Sequence, residues 1–501
     1  MDTAHEIGWA ALPRDLRAGV LGGLRWTVWL AAAGVPFSYG TRVLLARMGP
    51  EPLAIYGLLL VYVNFVAAFL FLGGNAVAIR FLPAIEVEAR PAFLRTYFLV
   101  SLLGWLPWLA VAAWRPQWLH WLFGGVDGRG FAWAMMALAP IPILFSLLLA
   151  ALKGELQLAR AQWIYRNVTV GMFVVCALLF FRARAWTAAH AAVLLWGAYL
   201  ALNLAGAAAA WHILNRNWTS ARRPGWWLPR GFWKYTLGLQ GSSMLGFLAT
   251  QLDMLIVLQA GGVAEFGRYV ALLTLAAMAA TAVKLLLDVL MASLTHAMAR
   301  GDSRLAGELW TSHCRMLVPL VLVLNLALAC WAVPLLSVYG GAYLQLQTAL
   351  RWLGPLAAIA CMNYLLGSSL AALGFPHLEM QAKAVRIASY LALFFPLWSR
   401  WGLSGAVLAW GGAEIPYQSV NLWNLGRRAP FRLNWTRTYA AFVGALAAAA
   451  AASFVWQPQS FLAGLVMLAA LLSGFLLAAG YTARQLVGHL RVLTLGAEGS
   501  A

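Results

Sequence analysis

The sequence has little charge, and least of all acid. Of its 501 residues only 10% are charged, and 16 Asp and Glu stand against 35 Lys and Arg, with a net charge of +19. The chain is instead 63% hydrophobic. The core of a soluble protein does not need that much apolar surface, so the composition argues against a soluble domain.

Cysteine and histidine are also scarce. The four cysteines lie in or beside apolar runs, so no disulfide framework is predicted. The eight histidines are scattered, and the chain has no phosphate-loop lysine, no metal-spaced His/Cys cluster and no Ser/His/Asp set on polar loops. These absences argue against an enzyme, and no cofactor or metal is expected.

Long apolar runs are what the sequence has in abundance. A transmembrane helix needs about 20 apolar residues, and unpaired backbone groups cannot lie in lipid. The runs are continuous rather than alternating, so they predict an all-α polytopic membrane protein with about fourteen transmembrane helices. The predicted spans are 24–45, 53–79, 93–114, 131–152, 164–181, 187–213, 235–259, 268–293, 315–337, 349–372, 384–398, 402–425, 438–456 and 460–482.

The basic residues indicate the orientation of these spans. With the N-terminus inside, Lys and Arg favour the inner segments over the outer ones by roughly three to one, which places both termini in the cytoplasm. The positive charge is therefore read as topology, and nucleic-acid binding is not expected. Residues 1–20 lack the basic-then-apolar order of a cleavable signal and are predicted to form a cytoplasmic amphipathic helix.

Residues 215–234 form one of the longest polar interruptions. Five basic residues and no acid lie in this segment, and Pro224 and Pro229 exclude a continuous helix. It is predicted to be a cytoplasmic linker that anchors to anionic lipid and joins two similar halves.

Short matches recur between the two halves. Gly49 precedes Tyr56 by the same distance as Gly262 precedes Tyr269, and residues 193–198 resemble residues 407–412. The repeat spans six helices, so its two copies have the same orientation, unless the matches are convergent low complexity. The predicted organisation is an N-terminal segment 1–20, an N-lobe 21–214, the linker 215–234, a C-lobe 235–428, and residues 429–501 with helices 13 and 14 and a cytoplasmic tail.

Three stretches give this arrangement a family resemblance. They are residues 42–49 running to Tyr56 and Gly57, residues 251–253 running through Gly262 to Tyr269, and residues 402–406. In order and spacing the chain resembles the Wzx-type flippases, the polysaccharide-transporter branch of the multidrug/oligosaccharidyl-lipid/polysaccharide exporter superfamily. The resemblance implies a monomer in the bacterial inner membrane that exports an undecaprenyl-diphosphate-linked oligosaccharide for polysaccharide, lipopolysaccharide or O-antigen synthesis, beside glycosyltransferases and a polymerase.

A diphosphate passing through the membrane needs basic contacts, and arginine binds phosphate in a bidentate manner. The candidates for substrate binding are Arg25, Arg42, Arg80, Lys284 and Asn75. An ionisable group in hydrocarbon is a functional hypothesis by default, although Arg25 and Arg42 near the ends of span 1 could instead extend to the headgroups.

Two further sets of charges suggest gating and ion coupling. Arg42 and Asp253 occupy similar depths in the two repeats and are predicted to pair and close the outer side, unless Asp253 bonds polar neighbours such as Gln251. Asp288 is one turn from Lys284, as an intrahelical pair or as a substrate and coupling site. Glu414, mid-membrane beside a proline, is a candidate for H⁺ or Na⁺ coupling, unless it bonds within its own lobe.

Other functions remain open at this point. A drug/cation antiporter of the same superfamily needs acids in its N-terminal lobe, and spans 1 to 6 have no central carboxylate. A peptidoglycan lipid flippase is expected to have an arginine–aspartate pair in span 1, where Thr41 and Arg42 stand. A membrane polysaccharide polymerase or ligase usually carries a larger outer loop. Alternating access of two lobes around a midplane site is the expected mechanism.

Overall fold

A computed structural model describes most of the chain. The described residues are 33–82, 85–115, 117, 129–155, 157–182, 188–218, 227–299, 302–431, 435–456, 458 and 460–481. The predicted amphipathic segment 1–20 and the candidate Arg25 lie outside them.

The described chain is built of helices. α1 covers residues 33–48. It is followed by α2 (Pro50–Phe65, extended by a π-helical turn Val66–Leu70), α3 (Asn75–Phe81), α4 (Arg90–Trp114), α5 (Arg129–Leu138), α6 (Pro140–Gly154), α7 (Leu158–Arg182), α8 (Ala188–Asn217), α9 (Phe232–Ala299), α10 (Ser303–Cys330), α11 (Ala332–Tyr339), α12 (Gln347–Ala372), α13 (Pro376–Arg428), α14 (Thr436–Val455) and α15 (Phe461–Ala479). Short 3₁₀ turns lie at Val87–Ala89 and Gly341–Leu346.

The helices confirm the predicted fold class. Ten helical stretches among the described residues are long and apolar enough to cross a membrane. Two of these, of 50 and 52 residues, are more than twice the length one crossing needs, about 20 residues. α9 is kinked at Gly262 and α13 at Gly402, where positive φ angles of 75° and 51° break the helical geometry. With those kinks, each predicted span is helical over most of its described residues.

The helix predicted for span 2 is interrupted. Predicted as one helix over 53–79, it ends in the π-helical turn and is interrupted before α3 begins. Gly73 and Gly74 both have positive φ, 71° and 66°, a conformation that glycine adopts without the penalty other residues incur. The prediction of an unbroken helix was wrong. It was made from the hydropathy of the segment, which is high with or without a break in the helix.

The backbone supports the internal repeat at its most distinctive point. Gly49, between α1 and α2, has φ 135° and ψ 171°, and Gly262 within α9 has φ 75° and ψ −178°. In both copies a helix reverses through one left-handed glycine and leads seven residues later to a buried tyrosine, Tyr56 or Tyr269. The two halves therefore share a helix–glycine–helix hairpin as well as a sequence pattern.

The described chain packs as two units, one up to Ala271 and one from Leu272 onward. That boundary lies inside α9, after the predicted linker, so the lobes proposed from the repeat are not the same as the packing units and remain a prediction. In the second unit, α12 packs against α10 and α13, and the core extends to α14 and α15 through Trp310, Phe442 and Phe475.

Candidate functional site

The α1–α2 hairpin holds Arg42 beside a buried tyrosine. The Arg42 guanidinium carbon lies 5.9 Å from the centroid of the Tyr56 ring. Its Nε is buried and has no hydrogen-bond partner within the described chain. A cation close to an aromatic face gains a modest attraction, which compensates only part of the cost of leaving water. Arg42 is thus a partly buried cation with unused hydrogen-bonding capacity.

The equivalent hairpin in α9 holds an acid instead. The Tyr269 hydroxyl donates to Asp253 Oδ2 over 2.9 Å, and Asp253 is only 4% exposed. Tyr56 and Tyr269 are repeat equivalents, so each copy places a tyrosine against an ionisable group of the preceding helix. Between these two described side chains, Arg42 and Asp253, there is no ion pair in this structure, and the predicted gate remains a hypothesis.

The two hairpins meet through glycine rather than through charge. A Cβ added at Gly267 would lie 1.9 Å from the Pro50 carbonyl oxygen, and one added at Gly57 would lie 2.5 Å from a Val270 methyl group. Small residues let helix backbones approach closely in membranes. The α2–α9 contact therefore depends on Gly57 and Gly267. Both lie in stretches that carry the family resemblance, although sequence reasoning gave neither a role in packing.

The interruption between α2 and α3 is supported by two side chains. Gln240 of α9 accepts from the Gly73 amide over 2.7 Å and donates to the Ala68 carbonyl over 2.7 Å. The Tyr97 hydroxyl of α4 approaches the Leu72 and Gly74 carbonyls at 2.8 and 2.7 Å. Irregular backbone at membrane depth must be satisfied by protein or by water. These contacts meet that need, and neither side chain was predicted from the sequence.

Two of the predicted substrate residues lie just beyond this interruption. Asn75 is the first residue of α3 and is exposed. Arg80, in the last turn of α3, is also exposed, and its guanidinium carbon lies 4.1 Å from the centroid of the Tyr235 ring on α9. A stacked guanidinium keeps its N–H edge free for an anion. The structure thus brings Arg80 and Asn75 onto the same short helix.

Lys284 and Asp288 lie in the second part of α9, where the backbone is helical. Their side chains fall outside the part of the structure that is described. Their predicted roles in substrate binding and ion coupling therefore stay predictions.

Glu414 is part of a buried polar network in the second unit. Arg386 Nε donates to Glu414 Oε1 over 2.6 Å, and Asn363 Nδ2 donates to Oε2 over 2.7 Å. Asn363 Nδ2 also donates to the Glu414 backbone carbonyl over 2.9 Å. Glu414 is 3% exposed, and Arg386 is also buried. The carboxylate is thus neutralised within its own unit by residues of α12 and α13.

Sequence reasoning found Glu414 but missed Arg386 as its partner. Arg386 is near the start of α13, and the charge count placed it among the inner loops. Arg386 follows Gly374 by twelve residues, as Arg166 follows Gly154, so the two arginines match between the halves of the chain. This recurring basic position was the signal that could have drawn attention to Arg386.

Helices α14 and α15 enclose a groove of about 610 Å³. It is lined almost entirely by alanine, glycine, leucine and phenylalanine, with Arg437 at one end. Arg437 Nε donates to the Ala478 carbonyl over 2.9 Å in the last turn of α15. The groove is thus apolar along most of its lining, with the Arg437 guanidinium as its charged group.

Comparison with known proteins identifies the fold. No protein-family model and no curated protein sequence matches the chain. Among solved structures it is similar to the lipid II flippase MurJ in an inward closed conformation, with a TM-score of 0.67, 10% identity, and 92% of this chain and 99% of that one covered. An inward-facing multidrug resistance MATE family transporter matches with a TM-score of 0.62, 13% identity and coverage of 81% and 98%.

A third similar structure is a transporter of the MOP superfamily from Pyrococcus furiosus, whose binding pocket is described as having reverse polarity. It matches with a TM-score of 0.60, 14% identity and coverage of 82% and 95%. At these identities the likeness is one of fold. The chain shares the helical fold of these transporters and is a multi-pass membrane protein.

Proposed function

We propose that this protein is a flippase that moves a lipid-linked oligosaccharide, carried on undecaprenyl diphosphate, from the cytoplasmic to the periplasmic leaflet. It works by alternating access, in the bacterial inner membrane, as a Wzx-type member of the superfamily whose fold it has. The transported unit supplies polysaccharide or O-antigen synthesis.

The observation that carries this proposal is the state of Arg42. It is a partly buried cation in a transmembrane hairpin, with an aromatic neighbour and an Nε that lacks a hydrogen-bond partner within the described chain. A buried charge without a counter-charge is costly. A diphosphate supplies both the counter-charge and the hydrogen-bond acceptors, and an anionic substrate therefore fits this hairpin better than a cationic drug does.

The positions of the acidic residues also favour an anionic substrate over a cationic drug. In α1 to α8, the described carboxylates lie at helix ends or in connections, at Glu51, Glu86, Glu88 and Glu155. Glu155 is further occupied by an ion pair with Arg90 at 2.6 Å. A drug/cation antiporter would need an acid within this half of the membrane domain.

The groove between α14 and α15 is consistent with a lipid-linked substrate. Burial of a hydrocarbon chain contributes about 0.8 kcal/mol per methylene, and the alanine- and glycine-rich walls leave space for one. The match to the lipid II flippase also covers more of this chain, 92%, than the matches to two MATE structures, 88% and 81%. A peptidoglycan lipid flippase is the second candidate on this ground.

We still propose that Glu414 takes part in ion coupling, but through its ion pair with Arg386. Because Arg386 already neutralises the carboxylate, a sodium ion at this place would have to displace the guanidinium, and a proton would have to break the pair. The proposed coupling event is therefore the opening of the Arg386–Glu414 pair.

A cellular experiment tests the function. Deletion of the gene is expected to make undecaprenyl-diphosphate-linked oligosaccharide accumulate in membranes, with loss of the mature polysaccharide. Wild-type protein and the control variant Arg160→Gln, which removes an exposed cation bonded to Gln157, are expected to restore the polysaccharide. Arg42→Gln is expected to restore little. Normal polysaccharide in the deletion strain would contradict the proposal.

A further inference from the structure

A second unpaired cation lies on α7, at Arg166. Its side chain occupies the space above Gly34 of α1: a Cβ added at Gly34 would lie 2.3 Å from Arg166 Nη1 and 2.6 Å from Cδ. α1 and α7 also contact through Phe37 and Phe173, whose ring centroids are 5.5 Å apart. The absence of a side chain at residue 34 is therefore what gives the guanidinium its place.

Nothing in the described chain compensates the charge of Arg166. Its Nε is buried without a hydrogen-bond partner, and no ion pair to it is formed by the residues described. Its neighbour is the Tyr165 ring, 5.6 Å from the guanidinium carbon. Gln162, one turn earlier, has a side-chain oxygen that is likewise buried without a partner. An arginine and an amide on one face of α7 thus hold unused polar capacity.

In the other half of the repeat, the arginine that matches Arg166 has a counter-charge. Arg386 of α13 matches Arg166, and it is held by Glu414 at 2.6 Å. The residue that matches Glu414 in the first half is Leu200 of α8, which is buried at 7% exposure. The same helices are neighbours in both halves: α7 packs against α8 at Gly171 and Leu202, and the first part of α13 packs against the second at Leu393 and Gly412. One copy of the repeat carries a closed ion pair, and the other carries the cation alone.

We propose that Arg166 binds a phosphate group of a membrane lipid, with Gly34 making room for the guanidinium and Leu200 leaving it without a protein counter-charge. Under the proposed function, on which this assignment rests, the phosphate is the diphosphate of the lipid-linked substrate. A guanidinium presents a planar fork of N–H donors that matches phosphate oxygens. Arg166 is thus a substrate contact in addition to Arg42.

Binding of defined lipids to the purified full-length protein in detergent micelles tests the assignment. The probes are undecaprenyl diphosphate, phosphatidylglycerol, and undecaprenol, which has the same tail without phosphate. Arg166→Gln removes the cation. Gly34→Ala keeps the cation, but the new methyl group occupies the space that the Arg166 guanidinium now fills. The arginine side chain is flexible and can move out of that space. Arg160→Gln, on the exposed side of the same helix, is the matched control.

We expect Arg166→Gln and Gly34→Ala each to weaken binding of undecaprenyl diphosphate by about tenfold or more, because hydrogen bonds to charged groups are among the stronger ones. Arg160→Gln should bind the diphosphate as wild type does. Undecaprenol binding should be the same in all four proteins, which also establishes that the variants are folded.

The outcomes separate this inference from the proposed function. If Arg166→Gln binds undecaprenyl diphosphate within about twofold of wild type, the assignment of Arg166 is overturned and the flippase proposal stands. If the Arg166-dependent ligand is phosphatidylglycerol and not undecaprenyl diphosphate, the phosphate contact is supported and the lipid-linked substrate is not. If the wild-type protein binds neither undecaprenyl diphosphate nor phosphatidylglycerol, both the Arg166 assignment and the flippase proposal are overturned.

Discussion

The contact between α2 and α9 makes a sharp prediction about a single methyl group. In Gly267→Ala the new Cβ would lie 1.9 Å from the Pro50 carbonyl oxygen and 2.7 Å from its carbonyl carbon. Ordinary contacts begin at about 3.4 Å, and the obstructing atoms are backbone, so the helices must separate by roughly 1 to 2 Å. Overpacking of this kind costs about 1–3 kcal/mol.

That cost acts only on conformations in which the two hairpins touch. Since every 1.4 kcal/mol changes an equilibrium tenfold, the variant is expected to shift the population away from the closed contact by about tenfold to a hundredfold. Gly246→Ala, in the same helix with no atom near the added Cβ, should leave the population unchanged.

Pulsed electron paramagnetic resonance can measure this shift. Spin labels at Glu51→Cys and Ala260→Cys lie at exposed positions on the two hairpins, and the four native cysteines are buried. We expect the distance distribution of Gly267→Ala to move to longer distances than those of wild type and Gly246→Ala. A distribution identical to that of wild type would refute the view that glycine contact closes these hairpins.

Four other substitutions test the remaining contacts. Glu414→Gln leaves Arg386 buried without its counter-charge and should reduce the free energy of unfolding by about 3–5 kcal/mol, seen as a lower thermal midpoint in detergent. Gln240→Leu leaves backbone groups of the interrupted helix unpaired and should lower stability by about 1–3 kcal/mol for each group in the same measurement. Arg42→Asp and Asp253→Arg should each abolish transport, and the double exchange should restore part of it if the two pair in another conformation.

Controls are available on exposed positions. Glu308→Gln removes an exposed partner of Arg304 and should change stability by less than about 1 kcal/mol. Gln345→Leu removes an exposed bond to the Ala342 carbonyl and should be similarly mild. If Glu414→Gln is as mild as Glu308→Gln, the buried pair does not carry the stability assigned to it. A double exchange of Arg42 and Asp253 without any rescue would remove support for the gate.

The helical architecture could be predicted from the sequence because apolar length alone specifies a spanning helix. The glycine hairpins could be anticipated too, since Gly49 and Gly262 recur at matched positions. The interruption at Gly73 could not, because its stability depends on Gln240, which is remote in sequence. The partner of Glu414 was missed for a related reason: a charge count shows on which side of the membrane an arginine lies and does not show which carboxylate it meets.

Transport of a phosphate-bearing, lipid-linked oligosaccharide across a membrane is the activity proposed for this protein. It is tested most directly in proteoliposomes that contain the purified protein and undecaprenyl diphosphate carrying a fluorescently labelled oligosaccharide. An impermeant reductant added outside quenches label in the outer leaflet alone. The account predicts that wild-type protein and Arg160→Gln allow nearly all label to be quenched, whereas protein-free vesicles and Arg42→Gln leave about half protected. Protection of half the label in the presence of the wild-type protein, together with transport of a cationic dye by the same vesicles, would contradict it.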